Sequence, residues 1–240
     1  MGIAFVAATF VLAGLVKGTI GLGLPTVAVG LLGLVMAPTQ AAALLVIPSL
    51  VTNAWQLAAG PSVGPLLRRL WPLLAGIAVG TALAAGALSA GRTAQLAMGA
   101  ALALYGMLGL VRIELHVHPA LERWASFPIG VVNGVITAAT GTFVLPSVPY
   151  LQALGLGREE LIQALGLSFT VSTLALAAAL ASHGGLPTRA LGESLLALAP
   201  AMLGMWAGGW LRTRVKPATF RLCFFLGLVA LGAHLMIAAQ

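Results

Sequence analysis

Ten apolar runs, with little polar sequence between them, leave this chain very few ways to fold. They lie at about 2–20, 24–37, 38–59, 66–90, 92–111, 124–140, 142–156, 159–182, 188–211 and 217–238. Most approach or exceed the ~20 residues that carry a helix across the hydrocarbon core of a bilayer. Only 7% of the 240 residues are charged and mean hydropathy is +1.06, whereas a soluble domain keeps roughly a quarter of its residues charged. The runs are rich in Ala, Leu and Gly and do not alternate apolar with polar positions, which argues against an outer-membrane barrel. The expected fold is therefore an all-α polytopic membrane protein of about ten transmembrane segments.

Two stretches interrupt this pattern in the same way. Gly14-Leu-Val-Lys-Gly-Thr-Ile-Gly-Leu-Gly-Leu-Pro25 and Gly130-Val-Val-Asn-Gly-Val-Ile-Thr-Ala-Ala-Thr-Gly-Thr-Phe-Val-Leu-Pro146 each end an apolar run, cross a Gly/Thr-rich break and reach a proline. Backbone groups freed from a helix cannot face lipid, so such breaks belong inside protein or against a cavity. The segments that follow, the second and the seventh, are short. Paired Gly/Pro-interrupted short segments in two halves point to a transporter's binding site.

The halves read as repeats. Gly14, Lys17 and Gly18 recur as Gly130, Asn133 and Gly134, and Pro72, Gly76, Gly80 and Gly99 recur with identical spacing as Pro200, Gly204, Gly208 and Gly227. The expected organisation is a first five-segment repeat over 1–111, a central cytoplasmic loop over 112–123 and a second five-segment repeat over 124–240. Five crossings is an odd number, so the second repeat is expected to be inverted. Gly76, Gly80, Gly204 and Gly208 are assigned to helix packing, because small residues four apart let helices approach closely in lipid.

Charge sets the topology. With ten crossings, one side receives Lys17, Arg68, Arg69, Arg112, Arg123, Arg158, Arg212, Arg214, Lys216 and Arg221, and the other only Arg92 and Arg189. The positive-inside rule makes the first side cytoplasmic and puts both termini outside the cytoplasm. The net charge of +7 is thus a topology signal, and no nucleic-acid partner is expected. Trp71, Trp124 and Trp210 lie near segment ends, as an interfacial belt would place them.

The breaks supply the expected site. Helix N-termini carry unpaired N–H groups and partial positive charge, and two short helices entering from opposite faces suit a small anion. The residues expected to bind it in the first half are Lys17, Gly18, Gly21, Gly23, Pro25, Thr26, Ser49, Thr52, Asn53 and Gln56. Those in the second half are Asn133, Thr137, Thr140, Gly141, Thr142, Pro146, Ser147, Ser168 and Thr170. Lys17 has two readings, a substrate contact or an anchor snorkelling to the headgroups. Interhelical hydrogen bonding is the plain reading for the polar residues of the third and eighth segments.

Other chemistry finds little support. The acids are Glu114, Glu122, Glu159, Glu160 and Glu193, none convincingly inside the membrane, which disfavours a carboxylate proton relay. Cys223 stands alone and reads as a small buried hydrophobe. His116 and His118 lack a third ligand. No catalytic constellation, metal site or cofactor is expected.

The arrangement resembles the TauE/SafE family of sulfite exporters, also called sulfonate uptake permeases. The resemblance rests on Gly14, Gly18, Gly21, Gly23 and Pro25, then Gly130, Gly134, Gly141 and Pro146. It implies transport of sulfite, an organosulfonate or a related sulfur or carboxylate anion across the cytoplasmic membrane, with export favoured over import. Alternatives are a permease for a neutral or cationic metabolite and a non-transporting accessory subunit. A small anionic substrate and the bilayer are the expected partners, and a homodimer is compatible with the sequence.

Overall fold

The computed structural model describes residues 2–61, 63–86, 92–111, 116–215 and 217–239. It consists of α1 (Ile3–Ile20), α2 (Leu24–Leu32), α3 (Pro38–Ala59), α4 (Val63–Leu83), α5 (Arg92–Val111), α6 (Pro119–Thr140), α7 (Ser147–Ala153), α8 (Arg158–Ser182), α9 (Thr188–Leu211) and α10 (Pro217–Ala238). Among the described residues there is no strand, and seven helices are long and apolar enough to cross a membrane. The exceptions are α2, α7 and α6, the last of which is long but carries Glu122 and Arg123 in its first turns.

Four segments differ from the sequence expectation by more than two residues. α2 ends at Leu32 and not at 37, and α4 runs over Val63–Leu83 where 66–90 was expected, of which 87–90 lie outside the described residues. The central loop ends at His118 and not at 123, because Pro119 opens α6 and the His118 imidazole accepts from Ala120 N at 3.3 Å to cap it. Arg112 and Glu114 of that loop lie outside the described residues. The seventh segment was expected from about Thr142, but its helix starts at Ser147 and spans only 7 residues. Residues 142–146 lie outside the helix, although Val144 O and Pro146 O already accept from Val148 N at 3.0 Å and Tyr150 N at 3.2 Å. Thr142 N instead takes the Thr140 hydroxyl at 3.2 Å, and Thr142 O takes that of Thr137 at 3.1 Å.

The most extensive helix pairs are α1 with α9, α4 with α6, and α5 with α10; α3 packs on both α8 and α9, and α8 on α4. Thus the first helix of each half lies on the fourth helix of the other. The contacts match residue for residue. A Cβ on Gly14 would collide with the carbonyl of Ala201, one on Gly18 with that of Met205, one on Gly204 with that of Val11, and one on Gly208 with that of Leu15. Between α4 and α6 the same offsets pair Gly130 with the carbonyl of Leu73, Gly134 with Ile77, Gly76 with Phe127 and Gly80 with Val131. Backbone meets backbone at all eight, the close approach that replaces a hydrophobic driving force in lipid. The fourth spacing does not extend this far: Gly99 packs on the backbone of Gly232, while Gly227 has nothing within 4 Å.

Pro48 inside α3 shows how the interior handles broken helical bonding. Proline has no N–H, so the carbonyl of Leu44 loses its donor, and lipid offers none. Ser194 of α9, fully buried, donates its hydroxyl to Leu44 O at 2.8 Å and accepts from Ile47 N at 3.0 Å.

Candidate anion site at the helix breaks

Both glycine breaks are buried in protein, over residues 21–30 and 141–145. Gly21 (φ +80°) closes α1 and Gly23 (φ +106°) opens α2, a backbone sign that only glycine adopts without strain. The chain thereby reverses within three residues, and Leu24 begins α2 with Pro25 in its first turn. Gly141 (φ +70°) closes α6 in the same fashion.

One turn before Gly21, Lys17 leaves the helix axis for the protein interior. Its side chain is 2% exposed, so the snorkelling reading fails. The ammonium donates to Thr52 Oγ1 at 3.0 Å and to Asn53 Oδ1. Thr52 can accept because its own proton goes to Pro48 O at 2.7 Å. From Asn53 the chain of bonds runs to Ser49 Oγ at 3.3 Å and on to Thr173 Oγ1 at 3.0 Å, joining α1, α3 and α8. Among the described residues no carboxylate lies within 4.0 Å of Lys17. Two of its three N–H groups are used, and among the described residues no counter-charge pairs with it.

Lys17 forms the base of a cleft of about 580 Å³ between α1, α3, α8 and α9, together with Gly18, Gly21 and Gln56. Gln56 Nε2 donates to Gly21 O, tying the end of α1 to α3. Trp55, Trp206 and Trp210 line the outer walls, and Glu159 and Arg212 stand at the mouth.

The second break is organised by Asn133, which is fully buried. Its Oδ1 accepts from Ser147 N at 3.3 Å, and its Nδ2 donates to Thr137 Oγ1 at 3.5 Å. Thr140 and Thr142 share a hydroxyl bond at 2.7 Å, and Ser147 Oγ donates to Phe143 O at 3.0 Å. Asn133 thus pins the first residue of α7 to α6 across Gly141 and Pro146. One of the N–H groups expected to face a ligand is already engaged there.

The structure therefore gathers Lys17, Ser49, Thr52 and Asn53 into one network, with Gly18, Gly21 and Gln56 on the adjoining cleft. A second network holds Asn133, Thr137, Thr140, Thr142 and Ser147. No hydrogen bond among the described residues joins the two. Gly23, Pro25 and Thr26 sit at the start of α2, where Gly23 packs on Val16 and Phe224. Thr170 bonds back to Gly166 O at 2.7 Å. Thr26 Oγ1, Ser168 Oγ, Ser172 Oγ and Gln56 Oε1 are buried without a partner among the described residues, an expensive condition unless water or a ligand reaches them.

Sequence reasoning missed one cluster entirely. Arg69 of α4 forms a bidentate pair with Glu122 of α6 at 2.7 and 2.8 Å and also donates to Leu154 O at 3.3 Å. Tyr150 of α7 shares a 2.7 Å bond with Ser126 and donates to Glu122 O at 3.1 Å. Only the amphipathic pattern Leu121-Glu-Arg-Trp124 after Pro119 hinted that these residues were helical. Glu193 is spent on an exposed pair with Arg189 at 2.9 Å. Cys223 was read as buried and is exposed on α10.

The family profile Sulfite exporter TauE/SafE matches residues 6–235. The chain belongs to the TauE/SafE sulfite exporter family. It is accordingly a multi-pass membrane transporter and not an enzyme. Within this TauE/SafE protein the match spans both glycine breaks, all of α2 to α9 and most of α1 and α10. No curated protein and no solved structure matches the chain.

Proposed function

We propose that this TauE/SafE protein carries a small oxyanion, sulfite, an organosulfonate or a related carboxylate, across the cytoplasmic membrane by alternating access, with export as the favoured direction. The observation that carries the reading is Lys17. A cation held in low dielectric by neutral partners alone is costly. A bound anion would supply the missing charge and take the remaining N–H as a charge-assisted bond.

The rest of the packing supports an inverted-repeat machine of ten crossings, divided at the central loop. Ends of α1, α3 and α9 and the start of α8 share the Lys17 cleft, as alternating crossings require. The exchange of first and fourth helices between halves is what two repeats related by a two-fold axis would give. In this reading the described state is open toward the basic, cytoplasmic end, both termini lie on the opposite side, and the Asn133 network is the counterpart that remains closed. Thr26, Ser168, Thr170 and the glycines at Gly18, Gly21, Gly23 and Gly141 would line the path between them.

The test is a ligand-stability screen of purified protein against sulfite, sulfate, thiosulfate, sulfonates and carboxylates, followed by flux of the best binder in proteoliposomes. A binder raises the melting temperature by mass action, and Lys17→Met should abolish that rise. A response confined to neutral or cationic compounds would overturn the reading.

A further inference from the structure

Beside the Lys17 cleft, and sharing its Ile162–Arg212 wall, is a second cavity of about 250 Å³. Three arginines line it: Arg158, exposed at the first residue of α8; Arg212, half-buried just past the end of α9; and Arg221, exposed in the first turns of α10. Gln152 adds an amide, Thr19 a hydroxyl and Phe225 an apolar wall. The charges are poorly balanced. Among the described residues Glu159 reaches Arg212, at 4.0 Å, and Glu160 is turned back to cap Gly157 N at 3.1 Å. Thr19 has given its proton to Leu15 O at 2.7 Å.

Three positive charges lining one cavity, with only Glu159 near one of them among the described residues, favour an anion there. Guanidinium forks match the paired oxygens of a tetrahedral oxyanion, and the start of α8 adds its positive dipole end. We propose that this cavity is a second oxyanion site, distinct from Lys17, built for a phosphate group. The phosphate of an anionic lipid and free inorganic phosphate share this chemistry. The first arrives from the leaflet, where basic pockets between transmembrane helices hold anionic headgroups; the second arrives from solution. The site does not depend on what Lys17 binds.

The full chain, purified in detergent, is titrated with phosphatidylglycerol, phosphatidylcholine and inorganic phosphate, following the melting temperature and lipid retention by native mass spectrometry. The comparison is between wild type, Arg158→Gln with Arg221→Gln, and a control pair, Arg68→Gln with Arg123→Gln, exposed at the same end of the molecule. Phosphatidylglycerol stabilising and phosphatidylcholine not stabilising the wild type assigns the site to lipid. Stabilisation by inorganic phosphate alone assigns it to the free ion. In either case the Arg158/Arg221 variant weakens binding about twenty-fivefold, at roughly fivefold per arginine, and the control pair changes it little. If that double variant does not fold, Arg158→Gln alone must show the fivefold loss. Equal binding by wild type and variant, or an equal loss in the control pair, overturns the proposal. Loss of sulfite binding at Lys17 leaves these readouts unmoved, so the two readings fail separately.

Discussion

The ammonium of Lys17 donates to the hydroxyl of Thr52 over 3.0 Å, from one helix to another, with no carboxylate among the described residues within 4.0 Å to balance it. A buried charge in that condition separates stability from function. Lys17→Met removes the desolvation burden, so its melting temperature should equal or exceed wild type. Its sulfite or sulfonate flux should fall by about tenfold to a hundredfold, the size of a lost bond to a charged group. Thr52→Val, which removes one acceptor and keeps the charge, should cost only a few-fold. Thermal unfolding and proteoliposome flux, measured on the same preparations, check both halves. A destabilised Lys17→Met with wild-type flux would make Lys17 a structural residue.

Gly18→Ala and Gly134→Ala should each destabilise by about 1–3 kcal/mol, because the new methyl group meets the backbone carbonyls of Met205 and Ile77 and neither helix can yield without moving its partner. Gly192→Ala is the matched control. It lies in α9 with nothing within 4 Å, so it should be neutral or slightly stabilising through helix propensity. Detergent-solution melting curves of the three variants decide this.

Asn133→Ala leaves Ser147 N without its acceptor at the start of a seven-residue helix. A buried donor left unpaired costs about 1–3 kcal/mol, and the cost should appear locally. Hydrogen exchange across 141–153 should rise at least tenfold while α5 and α10 stay protected. Unchanged exchange in that segment would show that α7 is held by its apolar contacts alone.

Arg69 and Glu122 join α4 to α6, but the Arg69 side chain is 42% exposed against 13% for Glu122. Solvent screening limits such a pair, and a double-mutant cycle of Arg69→Gln and Glu122→Gln should return a coupling of about 0.5–1 kcal/mol. Tyr150→Phe should cost about 1 kcal/mol by removing the bond to Ser126, and should couple with Glu122→Gln less than Arg69→Gln does, since Tyr150 meets the Glu122 backbone.

The boundaries of α3, α5, α9 and α10 were readable to the residue, since Pro38, Arg92, Thr188 and Pro217 mark entries that apolar sequence cannot supply. Gly76, Gly80, Gly204 and Gly208 were readable as packing residues from their four-residue spacing; that Gly14, Gly18, Gly130 and Gly134 meet their partners' backbones in the same way was not. The starts of α6 and α7 were not. Glu122 and Arg123 look like a loop until Arg69 arrives to pair with Glu122, and 142–146 looks like helix until the Thr137 and Thr140 hydroxyls claim its backbone.

From the amino-acid order alone came the membrane class, the two matched breaks and the short list of polar residues, since each follows from local composition and spacing. Whether Lys17 reached for the headgroups or for Asn53 was undecided in one dimension, because both outcomes fit the same flexible side chain. Only the tertiary structure settled it: α1 packs on α9 and α2, the side chain is closed off from water, and α3 offers two neutral acceptors in its place. That Arg158, Arg212 and Arg221 line one cavity was equally invisible along the chain, for charge counted by loop says which side a residue faces and nothing about which others it meets there.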